Sequence, residues 1–187
     1  MRKSAMLLTV ALFVLTPILT LYAGTLSGVT LPDTVQVGST TLTLNGLGLR
    51  TKYAFKVYVA GLYVTQKSAD PQTILKADAP KRLVMHFVRN LSKSQLTEGF
   101  AESFETNTPD VVKTLHPEID RFFSALDSVK EGEEIILTYV PATGTSVAVA
   151  GSEKVTIAGP AFGEMLFSVW LGPKPPNAAL KKGILGQ

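Results

Sequence analysis

Apolar residues recur along this chain with two different periods, and the changes of period mark out its elements. The first block has no period. From Ala5 to about Leu21 nearly every residue is apolar, behind the cations Arg2 and Lys3. Alternation then takes over. Residues 34–37 and 40–44 predict two short strands around the turn Gly38-Ser39, an opening hairpin. The strongest strand is predicted over 55–65, inside a β-branched and aromatic block that holds Tyr53, Phe55, Val57, Tyr58, Val59, Tyr63 and Val64. Such residues suit a pleated, half-buried surface. Asp70-Pro71 starts a turn, and Pro71 to about Lys76 predicts one turn of helix. Lys81–Val88 alternates again, with Leu83, Met85 and Phe87 set against Val84, His86 and Val88.

At Ser92 the period lengthens. Leu96, Phe100 and Phe104 fall four residues apart on one helical face, and Ser92 with Gln95 forms a capping box at its start. Asn107-Thr-Pro109 ends that helix. A second stripe runs through Val111, Val112, Leu115, Ile119, Phe122, Phe123 and Leu126, with Pro117 splitting it near His116. Strands return at Glu133–Val140, Ser146–Ala150 and Lys154–Ala158, joined by turns at Ala142-Thr-Gly144 and Gly151-Ser. Pro160 opens a further helix with Phe162, Leu166, Val169 and Trp170 on one face, Gly172 and Pro173 stop it, and Asn177 caps a last short helix through Leu185. Strands and helices come in runs without a βαβ rhythm. The prediction is an α+β fold with helices packed over one antiparallel sheet.

The unpatterned first block changes the domain reading. A basic start, an apolar run and the small residue Ala23 describe a secretory signal peptide over residues 1–23, cleaved before Gly24, which leaves one domain over 24–187. The alternative is an uncleaved N-terminal membrane anchor, because the run approaches the ~17–20 apolar residues that a spanning helix needs. Pro17 and the lack of a basic flank after the run favour cleavage. There are no cysteines, which excludes disulfides, thiol catalysis, cysteine-ligated metals and a lipidated-cysteine anchor. Export without disulfides suits a periplasm. Arg2 and Lys3 supply +2 of the formal +3 charge, so the remainder stands at about +1, without the basic stripe that nucleic-acid binding requires.

Candidate chemistry is sparse. No nucleophile elbow, phosphate-binding loop or His-Glu-x-x-His occurs, and the only histidines, His86 and His116, make a poor metal site. His86 is expected half-buried and structural, His116 near the surface at a bend. Glu131, Glu133 and Glu134 read as a solvated strand start. Gly46-x-Gly48 lacks the third glycine and the strand–helix setting of a dinucleotide loop, and is expected instead to let other backbone come close to the sheet. Arg50 stands at the end of that segment, and a buried guanidinium is costly unless an anion meets it. It faces water, an internal carboxylate such as Glu98 or Glu102, or the acid group of a ligand.

The segments NGLGLRTKYAFKVYVAGLYV (45–64) and FGEMLFSVWLGPKPPNAALKKGILG (162–186), taken together, resemble the chalcone isomerase superfamily, especially its bacterial chalcone-isomerase-like branch. The resemblance covers most of residues 24–187. It implies an open-faced β-sandwich, with helices over one side of a large antiparallel sheet and a ligand cleft between them. It places Arg50 where the plant enzymes keep the arginine that steadies a phenolate, and where fatty-acid-binding members hold a carboxylate with help from a tyrosine. The plant threonine of the next strand is Tyr58 here. Their helix-start tyrosine and asparagine align with Ser92 and Gly99, and their late threonine or serine with Gly163. With that network missing, the resemblance implies binding of a small amphiphilic carboxylate such as a fatty acid by Arg50 and Tyr58. No catalytic residue is assigned; the alternatives are an isomerase acting on a chalcone-like substrate, in which Arg50 would serve, and a structural or partner-binding periplasmic protein. No cofactor or metal is expected, the chain is expected to be a monomer, and membrane contact is expected only through the leader.

Overall fold

The computed structural model describes residues 22–187. The leader expected over 1–23 lies outside the described residues except for its last two. A hairpin of β1 (Tyr22–Leu26) and β2 (Val29–Pro32) comes first, then β3 (Thr34–Val37), β4 (Thr40–Lys52) and β5 (Phe55–Val64). A short α1 (Pro71–Lys76) leads to β6 (Lys81–Phe87). Three helices follow, α2 (Lys93–Asn107), α3 (Pro109–Val112) and α4 (His116–Ala125). The meander β7 (Glu134–Val140), β8 (Gly144–Val149) and β9 (Ser152–Ile157) precedes α5 (Pro160–Leu171) and α6 (Ala178–Ile184).

Strands β3 to β9 form one curled antiparallel sheet in sequence order, and β1–β2 form a separate pair. The helices lie on one side, as the α+β reading expected. Between them and the inner face sits the main core, from Leu62, Leu83 and Leu137 on the sheet to Phe100, Phe122 and Trp170 on the helices. The β1–β2 hairpin covers part of the outer face with Val29 and Leu31, over Val59, Tyr63 and Val84. That hairpin is absent from the sequence reading, which ended the leader at Ala23 and began the strands at residue 34. Its turn uses Ser27 and Gly28 with φ of 52° and 82°.

Most local signals act as read. Ser92 and Gln95 make the reciprocal capping box of α2, and Pro117 sits in the first turn of α4, separating it from α3. Two expectations change. α5 was read as carrying one apolar stripe, but Met165 through Leu171 are all buried. It packs against α1, α2 and β8 at once, as a helix apolar all round must. Asn177 precedes α6 without capping it: its amide N–H donates to the Leu49 carbonyl of β4, and its Oδ1, the atom a cap would use, meets no donor among the described residues.

α6 positions the site. Gly46 and Gly48 belong to the continuous strand β4, with side-chain directions toward the helices. A Cβ on Gly46 would strike the Gly183 carbonyl oxygen, and one on Gly48 the Leu180 carbonyl oxygen. Gly183 is equally tight, against the Leu47 carbonyl. Backbone thus lies on backbone, which only glycine allows, as the reading of this segment anticipated. An extra residue in β4, Asn45, breaks the register between Leu44 and Gly46. Its buried amide donates to the Ile184 carbonyl at 2.8 Å and the Ser68 carbonyl at 3.0 Å, tying down the end of α6.

Candidate functional site

Two residues beyond Gly48 on the same face of β4 stands Arg50, directly opposite Tyr58 of β5. The register shifts again at this point, pairing Arg50 with Tyr58 and Thr51 with Lys56. Val57 is the extra residue. A bulge of this kind turns side chains away from strict alternation, and Val57 and Tyr58 both line the same space. That space is a cleft of about 500 Å³ between the β4–β5 end of the sheet, α2 and the segment Lys174–Pro176. The size suits a small organic ligand. Leu96, Phe100 and Val169 give it apolar wall.

Arg50 is half-buried at the edge of this cleft. Its Nη1 donates to the Pro176 carbonyl at 3.1 Å and to the Thr51 carbonyl. Among the described residues no carboxylate pairs with it: the ion pairs are His86–Glu134, Lys113–Asp110 and Lys154–Asp127. Glu98 and Glu102, the internal partners weighed in the sequence, line the same cleft without reaching Arg50. Nε and Nη2 have no protein acceptor among the described residues. They leave one edge of the planar fork for another anion.

Tyr58 is 6% exposed, and its ring meets Phe87 edge-on at 5.5 Å. Burial pushes its hydroxyl up to about 12, against the opposing pull of Trp170 and Arg50. The phenol is therefore neutral at physiological pH. Trp170 Nε1 lies 3.0 Å from Tyr58 Oη. Indole N–H only donates, so the phenol oxygen accepts there and its own proton is left to be offered elsewhere. The arrangement presents one guanidinium edge and one phenolic O–H beside an apolar trough.

Trp170 is the residue that reasoning from the sequence did not place in the site. It was read as part of a helix face. The signal lay in its being the single tryptophan, inside the late Trp-Leu-Gly-x-x-Pro-Pro run whose prolines form the cleft rim.

The positions aligned with plant catalytic groups scatter. Ser92 uses its side chain to cap α2, and Gly163 packs under the Tyr139 ring and Thr145, away from the cleft. Gly99 does line the cleft but carries no side chain. His86 pairs with Glu134 at 3.1 Å on the outer face, and His116 is exposed at the start of α4, so the two histidines do not converge.

A search of curated protein sequences returns no significant match. Among solved structures, a fatty-acid-binding protein of Arabidopsis thaliana superposes with a TM-score of 0.64 at 17% identity, over 85% of this chain and 92% of that one. At that identity the likeness shows a shared fold. The model of the chalcone isomerase-like family matches residues 23–186, nearly the whole of the described chain, and with it this protein belongs to the chalcone isomerase-like family.

Proposed function

We propose that this protein binds a small amphiphile with a single acid group, such as a fatty acid, and does not convert it. One observation carries the reading: Arg50, whose Nε and Nη2 have no protein acceptor among the described residues, and the neutral Tyr58 stand opposite each other and line the same cleft. A carboxylate accepts from both groups, and its tail lies along Leu96, Phe100 and Val169. Four basic side chains line the cleft, Arg50, Lys52, Arg89 and Lys174, against two acidic ones, Glu98 and Glu102. That balance favours an anion. The fatty-acid-binding protein that shares the fold supports the same ligand class. Of the positions aligned with the plant catalytic network, Ser92 and Gly163 do not line the cleft and Gly99 brings no side chain to it, which supports binding without turnover.

Export belongs to the same proposal. Cleavage before Gly24 frees the domain into the periplasm and trims β1 to Gly24, Thr25 and Leu26, still paired with Leu31, Thr30 and Val29.

The test is native mass spectrometry of protein purified from a periplasmic preparation, with no ligand added. The expected result is a bound mass in the fatty-acid range, lost in Arg50→Gln and in Gly99→Leu. The second variant grows a side chain into space where a Cβ meets nothing within 4 Å. A clean apo mass that stays apo when fatty acids are supplied would sink the reading.

A further inference from the structure

The β4–β5 turn does not match the half-buried block expected of it. Tyr53 is 92% exposed and Phe55 60%, the large apolar side chains left in the open among the described residues. Single exposed apolar residues are common and carry no message. Three further features set this pair apart. Tyr53 takes a φ of 55°, a region that bulky residues avoid and glycine or asparagine fill easily. Cations surround the rings: Lys52 and Lys56 flank them in the chain, and the Arg89 guanidinium sits 5.0 Å from the centre of Phe55. Both rings also stand at the opening of the cleft.

We propose that this tip is an interfacial anchor for an anionic lipid bilayer, holding the mouth of the cleft against the leaflet. Aromatic side chains settle at the headgroup level, the polar end of tyrosine in water and its ring among the chains. Lysine and arginine add attraction to an anionic surface. The charge complementarity is local, since the acidic residues nearby in the fold, Glu98, Glu102 and Glu131, belong to α2 and the loop before β7 and not to the tip. Two rings on a hairpin end are too little surface for a stable protein interface, which buries on the order of 1,200 Å² or more. They suffice for shallow insertion. No helix among the described residues is long and apolar enough to cross a membrane, so the contact is with the surface. Docking rests on the tip alone; its use, loading or unloading an amphiphile directly at the leaflet, rests on the binding function proposed above.

The test places an indole at the tip by Tyr53→Trp in the full-length chain. The unsubstituted chain, whose single tryptophan is the buried Trp170, is run in parallel and its signal subtracted. Vesicles of phosphatidylglycerol and phosphatidylethanolamine should shift the emission to the blue, and lipids brominated on their acyl chains should quench it. Adding Lys52→Gln and Lys56→Gln should lower partitioning about 10-fold or more. Sedimentation with vesicles cannot decide the matter, because the apolar run of residues 5–21 can bind lipid by itself. An indole that stays solvent-exposed while the chain sediments would overturn the proposal. So would a blue shift without vesicles that grows with protein concentration, which assigns the tip to a second copy. Equal quenching by pure phosphatidylcholine vesicles would overturn the anionic surface. Insertion in a protein that carries no amphiphile would leave docking standing and remove its link to ligand transfer.

Discussion

One strand pair makes both the most closed and the most open part of the inner face. At Gly46 and Gly48 the backbone of α6 rests directly on β4; at Arg50, two residues further along the same face, the helix has ended and a cleft begins. Pro175-Pro176 lies just ahead of α6, and proline both lacks an N–H and restricts the residue before it, so the helix cannot extend back over Arg50. The closed half depends on residues without side chains. The open half depends on an arginine whose protein partners are backbone carbonyls. The contrast shows how a sheet can hold a cavity: the helix is pinned tightly at one end and stopped short at the other.

The largest effect is expected from breaking the closed half. Gly48→Val drives a branched side chain into the Leu180 carbonyl, where backbone and not a flexible side chain has to yield. Overpacking commonly costs about 1–3 kcal/mol and more where the backbone must move; urea denaturation should show a loss of roughly 3 kcal/mol or an unfolded chain. A loss below about 1 kcal/mol would mean that α6 slides freely over β4.

Next comes the open half, through Tyr58. Burial raises its folded pKa to about 12 from an unfolded value near 10. The neutral phenol therefore contributes stability that is complete below about pH 10 and is lost as pH rises toward about 12, on the order of 3 kcal/mol in all. Because other groups titrate in that range, the quantity to measure is the stability difference between wild type and Tyr58→Phe. It should shrink across this window. A difference that stays flat would mean that the phenol is hydrated, and that the cleft admits water down to Phe87.

How far these two halves were legible in the sequence follows from the range of each interaction. The Ser92–Gln95 box, the proline at the start of α5 and the glycine approach at 46–48 work over a few residues or within one strand, and the pattern shows them. The partner of Gly46 and Gly48 is not visible from the pattern, because α6 lies more than a hundred residues on. Arg50 and Tyr58 were named together through a family resemblance; that they face each other depends on the bulge at Val57, which alternation cannot reveal. Trp170 and Tyr58 are 112 positions apart, and no periodicity links them. Tyr53 and Phe55 went wrong for a physical reason. β-propensity reports residue types suited to a pleated surface, and the same types serve on an exposed hairpin end. The β1–β2 hairpin is missed because its strands are only five and four residues long and the first two residues of β1 fall inside the leader reading, which leaves too short an alternation around Ser27-Gly28 to stand out.

A smaller effect separates the two polar groups of the open half. Trp170→Phe keeps the buried ring and removes the N–H that Tyr58 accepts, leaving the phenol oxygen short of a donor at a cost of about 1 kcal/mol. Since that hydrogen bond lowers the Tyr58 pKa, its loss should move the phenol's ionisation higher still, visible in an alkaline absorbance titration. A titration unmoved by Trp170→Phe would place the phenol on some other donor.

The smallest expected effect reverses sign, and it returns to glycine. Gly99 stands in the middle of α2 on the cleft wall, where a Cβ would meet nothing within 4 Å. In a helix interior, glycine costs about 0.5–1 kcal/mol relative to alanine. Gly99→Ala should therefore raise stability by about that amount, while Gly48→Val unfolds or weakens the same domain. Both glycines belong to the inner layer of one molecule, and only the space around them differs. Equal destabilisation by Gly99→Ala would show that α2 closes onto the sheet in solution and that the cleft is filled. A gain in the thermal midpoint would show that the wall opposite Arg50 stands free, as a ligand's tail requires.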